Sequence, residues 1–170
     1  MISIVQTYGS MLLSALGKTL LLTLLSLVFA MIIGMIFALM NVGKNRAFNL
    51  IGTVYVDAVR GVPLIVLAYF IYFGVPAGIK MIGIQDFRLT ALQAGTIALA
   101  MNCGAYMAEI IRAGIESVDR GQMEASRSLG LTYGKSMRLV VLPQAIRTMI
   151  PSIINQFIIT LKDTSILSVI

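Results

Sequence analysis

The sequence has no histidine, a single cysteine and few charges of either sign. Without histidine there is no imidazole acid–base catalysis and no histidine-based metal site. With Cys103 alone, no internal disulfide can form, and a lone cysteine among apolar neighbours reads as a small packed residue. Charged residues make up 12% of the chain, against about 25% in soluble domains. No carboxylates stand at a workable catalytic spacing, and no catalytic constellation is present. Gly134-Lys135-Ser136 looks like the end of a phosphate-binding loop, but that loop needs four residues between its glycines. Gly130 to Gly134 leaves three, and no strand precedes them.

What fills the chain instead is apolar. Hydrophobic residues reach 58% and the mean hydropathy is +0.94, which predicts an all-α integral membrane protein. A length of 170 residues fits one domain. The net charge of +6 could suggest nucleic acid as a partner. The bases are spread between apolar runs, however, and no basic patch carries interleaved aromatics. An excess of Lys and Arg in cytoplasmic loops explains the charge better.

Read in order, residues 1–17 form an uncharged, mildly apolar lead without the basic start of a secretory signal. From Thr19 to Met40 no charge occurs over 22 positions, enough to cross a hydrocarbon core of about 30 Å. Ala30, Gly34 and Ala38 recur at four-residue spacing, which allows close helix–helix approach in lipid. The loop 41–49 carries Lys44 and Arg46, so it is expected on the cytoplasmic side with the N-terminus outside. The apolar run 50–78 is interrupted by Asp57, Arg60, Gly61 and Pro63. Asp57 and Arg60 are spaced to pair on one helix face, and Gly61-Val62-Pro63 should kink or break the helix. Residues 79–87, with Lys80 and Asp86, read as a short external loop. The next span runs from Leu89 to Ile111 after Arg88, and the last from Met149 to Ile170. That last run includes Lys162, Asp163, Thr164 and Ser165. Polar residues inside a span are expected to be functional.

Between the last two spans lies the longest interval without a membrane-length apolar run, residues 109–143. It reads as a folded charged loop on the cytoplasmic face: either a solvated connector or a docking element. Glu124-Ala125-Ser126, Gly130 and Val140-x-Leu142-Pro143 are spaced within it as in the Glu-Ala-Ala loop of the membrane subunits of ATP-binding-cassette importers, which the stretch resembles. Ser126 stands for the second Ala and Val140 for Ile. Small residues on a short helix permit close approach of another protein, Gly130 can adopt the positive φ that stops the helix, and Pro143 suits the start of the next segment.

Three further stretches resemble the polar amino-acid permeases of that superfamily. Arg60-Gly61-Val62-Pro63-Leu64 with Ile71-Tyr72-Phe73-Gly74-Val75-Pro76 is similar to Arg-Gly-Thr-Pro-Leu…Ile-Tyr-Phe-Gly-Leu-Pro. Val62 replaces Thr, and Leu67 stands where Gln is frequent. Asn102-Cys103-Gly104-Ala105-Tyr106-Met107-Ala108-Glu109 is similar to Asn-Ser-Gly-Ala-Tyr-x-Ala-Glu, and Leu161-Lys162-Asp163-Thr164-Ser165 to Leu-Lys-Asp-Thr-Ser.

The resemblance implies the transmembrane domain of a type-I importer over residues 18–170, with four spans present and a fifth missing at the C-terminal end. It implies a multi-pass protein of the bacterial cytoplasmic membrane that moves polar amino acids. It also implies a second permease chain, an external substrate-binding protein, and ATPase subunits docked on the loop at Glu124, Ala125, Ser126, Gly130 and Pro143. No cofactor is expected on this chain, since ATP and Mg would be used by the ATPase. Asn102, Asp163, Thr164 and Ser165 are expected near the translocation path. For Asn102 the alternative is an interhelical hydrogen bond; for Asp163, pairing with a base for assembly. A different class of function, a channel-like or scaffolding membrane protein without an ATPase, stays open on the residues alone.

Overall fold

The computed structural model describes residues 2–43 and 45–169, and within them every regular element is helical. Lys44, expected on the cytoplasmic side, lies outside the described residues. Among the described residues four helices are long and apolar enough to cross a membrane: Tyr8–Val42, Leu64–Met81, Ala91–Glu116 and Tyr133–Ser168.

The first helix, α1 (Ile2–Val42), has 41 residues and a length of about 60 Å at 1.5 Å per residue. It runs without a break through the charge-free stretch and the residues before it. Its small residues meet α5 (Ala91–Glu116) rather than another chain. Ala30 and Ala38 are fully buried. A Cβ built on Gly34 would stand 2.5 Å from Met107 Cβ and 3.2 Å from the Ala108 backbone nitrogen. One built on Gly104 of α5 would stand 2.7 Å from Ile33 Cγ2. Contact this close between two backbones needs glycine on both sides, and in lipid it is packing that holds helices together.

The apolar run 50–78 is not one span. An amphipathic helix, α2 (Arg46–Gly61), begins at Asn45, whose side chain accepts from the Ala47 N–H at 3.0 Å. It ends at Val62, which is extended at φ −101°, ψ 129°. A residue before proline is pushed out of the helical region by the proline ring, so Pro63 ends α2 through its neighbour. Beyond it α3 (Leu64–Tyr69) leads through a π turn (Phe70–Gly74) into α4 (Val75–Met81). Asp57 and Arg60 do not pair. The ion pairs among the described residues are those of Arg112 with Glu109 and Glu116, and Arg60 instead stacks on Tyr106, 5.1 Å from the ring centroid. The loop read as 79–87 starts later, because Lys80 still belongs to α4. Likewise α5 begins after Arg88, at a capping box: Thr90 Oγ1 accepts from the Gln93 N–H at 3.2 Å and Gln93 Oε1 from the Thr90 N–H at 3.0 Å.

After α5 comes the short helix α6 (Arg120–Ser128), then α7 (Tyr133–Ser136), a π turn (Met137–Val141) and α8 (Leu142–Asp163). Pro143 therefore does not open a separate segment; it sits in a continuous helical run just past a π turn. Pro76 has the same setting after Phe70–Gly74. A proline ring collides with the carbonyl four residues back and cannot bond it, and the wider turn ahead of each proline relieves that conflict. The final span differs too. The helix stops at Asp163, and Thr164–Val169 form a 3-10 turn. The polar cluster at 162–165 is a helix end, not a helix interior.

Candidate functional site

Two regions carry the predicted site residues. The first is the loop between α5 and α8. Asp119 caps α6, its Oδ1 accepting from the Gly121 N–H at 2.7 Å. At the other end Gly130 takes φ +85°. The Gly130 N–H bonds Arg127 O at 3.0 Å and the Leu131 N–H bonds Ser126 O at 3.3 Å. These are the two bonds of a Schellman stop, which places glycine where the backbone turns left-handed. Glu124 and Ala125 are exposed. Ser126 faces inward, 4% exposed, with its hydroxyl donating to Met123 O at 2.8 Å. It therefore belongs to the inner side of α6 rather than to the presented surface. Leu129, which sequence reasoning missed, is 84% exposed at the tip of this loop.

Met123 and Val118 pack on a cluster formed by Ala38, Val56, Ile111, Ile115, Val141 and Met149. That cluster joins α6 to α1, α2, α5 and α8. Gln144 of α8 also donates to Gln122 Oε1 of α6 at 3.4 Å. α6 is thus packed against the ends of α5 and α8, the helices that bear the second region.

The second region is a cavity of about 420 Å³ walled by residues of α2, α3, α5 and α8 with the Val62-Pro63 break. Asn102 and Asp163 both line it, with Arg60, Tyr106 and Gln156. Asn102 makes no interhelical hydrogen bond among the described residues. Thr164 and Ser165 stay apart: their hydroxyls donate back to Leu161 O and Lys162 O, each at 2.7 Å, and neither is part of the wall. Arg60, Tyr106 and Gln156 were missed as site residues. For Arg60 and Tyr106 the signal was present, since both lie in the stretches quoted above for their resemblance. Gln156 had only its polarity within an apolar run.

Residues 30–170 match the family described as "binding-protein-dependent transport system inner membrane component". The chain belongs to that family. It is the membrane-spanning permease subunit of an ATP-binding-cassette importer, in which ATP is hydrolysed on separate ATPase subunits. The permease is 40% identical over 170 residues to the "probable glutamine ABC transporter permease protein" GlnM of Bacillus subtilis, covering 99% of this chain and 75% of that one. It is 40% identical to the L-cystine permease TcyB of the same organism, covering 96% of this chain and 67% of the relative. A crystal structure of "an amino acid ABC transporter with histidines" superposes with a TM-score of 0.88 at 41% identity, covering 99% of this chain and 75% of the other. Against other curated relatives the permease spans about two thirds of their length, 64% in one Rickettsia protein. A channel-like or scaffolding protein has no counterpart among these relatives. With four membrane-length helices among its described residues, the permease is a multi-pass membrane protein.

Proposed function

We propose that this permease moves polar amino acids inward through the cavity between α2, α3, α5 and α8. The observation that carries the reading is the wall of that cavity: a guanidinium from Arg60, a carboxylate from Asp163 and amides from Asn102 and Gln156. A free amino acid presents a carboxylate and an ammonium group, which these charges complement. Asp163 has no ion-pair partner among the described residues. A carboxylate held away from bulk water is costly until a cation or a donor meets it, so an incoming ammonium supplies what the cavity lacks. The names of the relatives, a probable glutamine permease and an L-cystine permease, agree with this class of substrate.

A second permease chain, identical or homologous, completes the pathway. ATPase subunits, which use ATP and Mg, dock on the loop at Glu124 to Gly130, and an external binding protein delivers substrate. Closure of the ATPases pushes α6, and α5 and α8 follow as one body through the apolar cluster around Met123. Asn102 and Asp163 move with them.

Asp163→Asn keeps shape and removes charge. In proteoliposomes holding the complete complex, uptake should fall about tenfold or shift away from basic amino acids, as loss of a charged contact implies, while complex assembly persists. Dissociation of the complex would instead assign Asp163 to assembly. Unchanged uptake of every amino acid tested would remove it from the path.

A further inference from the structure

A second polar cavity, about 310 Å³, lies toward the loop side of the first, walled by Asn41, Asn49, Thr53, Asp57, Arg60, Glu109, Arg112 and Glu116 among others. The two cavities have one wall residue in common, Arg60. Its guanidinium lies over the ring of Tyr106 at 5.1 Å, within the range of a cation–π contact. From this geometry we infer that Arg60, stacked on Tyr106, is the gate between the substrate cavity and an inner vestibule, and that it selects on charge.

The placement follows from the helices. Asn102, Tyr106 and Glu109 stand at i, i+4 and i+7 on α5, so they share one face and span about 10 Å along the axis. Asn102 lines the first cavity, Tyr106 lines it at its inner end, and Glu109 lines the second. The two spaces are thus strung along one stripe of α5. Arg60 reaches this stripe from the last turn of α2, next to the Val62-Pro63 break. Val62 is extended there, so α2 ends one residue after Arg60. Glu109 shares the vestibule with Arg60 and gives the guanidinium a carboxylate to turn toward when the stack opens. Arg112 forks between Glu109 at 2.5 Å and Glu116 at 2.6 Å, which holds that carboxylate in place. A closed gate therefore presents a positive charge to the substrate cavity. It attracts the carboxylate of an amino acid and opposes passage of a free cation.

The inference rests on the transport reading, but its test needs no substrate. Cysteine is placed at Ile159, which lines the substrate cavity, in a Cys103→Ala background. A second chain carries cysteine at Thr53, which lines the vestibule. Inside-out vesicles holding the complete complex are treated with a membrane-impermeant cationic thiol reagent. With Arg60 intact, position 159 should react slowly and position 53 fast. Arg60→Gln should raise the rate at 159 by about fivefold, the shift expected on losing one cation–π contact, and leave position 53 unchanged. Tyr106→Leu, which keeps the charge and removes the stack, should also raise it, and it carries the test if Arg60→Gln fails to insert. Equal rates at 159 with and without either substitution would overturn the gate, as would a rate at 159 already matching that at 53. A parent complex that takes up no amino acid would count against the transport reading alone, since the labelling result stands without it.

Discussion

At Gly130 the backbone has φ +85°, and a side chain added there would meet nothing within 4 Å. Any effect of substitution is therefore conformational rather than a clash. Holding a residue with a Cβ in the left-handed region costs about 1–2 kcal/mol, and a β-branched side chain is worse there than asparagine. Gly130→Val should leave the chain inserted in the membrane but impair ATPase association and uptake, whereas Gly130→Asn should retain most of both. Normal association and uptake in the valine variant would remove Gly130 from the coupling surface. The same scale shows how far single residues were readable. The requirement for glycine at 130 is local and visible in the spacing. That Ser126, two positions from the exposed Glu124, points inward depends on which side of α6 meets Met137 and Val141.

For the elements, the breaks were legible and the boundaries were less so. Pro63 ends α2 because of its effect on Val62, a nearest-neighbour interaction that any reader of the chain can apply. The extension of the last helical run back to Tyr133 was not visible, since proline at 143 suggested a start. The π turn Met137–Val141 that accommodates it is a response of the packed helix. The resulting order of elements carries an expectation about topology. From the bases of the long loop Lys135 is expected in the cytoplasm, and Lys80, at the end of α4, outside. Single cysteines at these positions, in a Cys103→Ala background, should react with impermeant reagents from opposite sides of the membrane. Labelling of position 80 from the inside alone would reverse the layout. Cys103 is 1% exposed, so its replacement by a residue of similar size should be tolerated.

On the scale of the whole molecule, the long helices leave large apolar side chains exposed along their length, among them Leu13, Leu24 and Ile32 on α1. In a membrane such faces suit lipid or the helices of a neighbouring chain. Leu129 is different: it is 84% exposed in a charged loop outside the long apolar helices. Burying a leucine is worth about 1.5–3 kcal/mol, which makes it a natural anchor for the ATPase subunit. Leu129→Asp should lower the ATPase recovered with the detergent-solubilised permease by about tenfold without lowering the amount of permease. Undiminished recovery would move the docking surface elsewhere on the loop.

The sequence by itself determined that this is a helical membrane protein, that its chain breaks at Val62-Pro63, and which family it belongs to. Each of these rests on composition or on interactions within a turn or two: hydropathy over a window, proline acting on its neighbour, glycine at a positive φ, motif spacing. Only the tertiary structure decided which polar residues share a space. Arg60, Asn102, Tyr106, Gln156 and Asp163 come from three helices, and Thr164 and Ser165, though adjacent to Asp163, stay outside the wall. The face that α5 turns toward α2 and α8 is set by its close approach to α1 at Gly34 and Gly104. That is a contact between residues some 70 positions apart, and helix rotation about its axis has no local code in the chain.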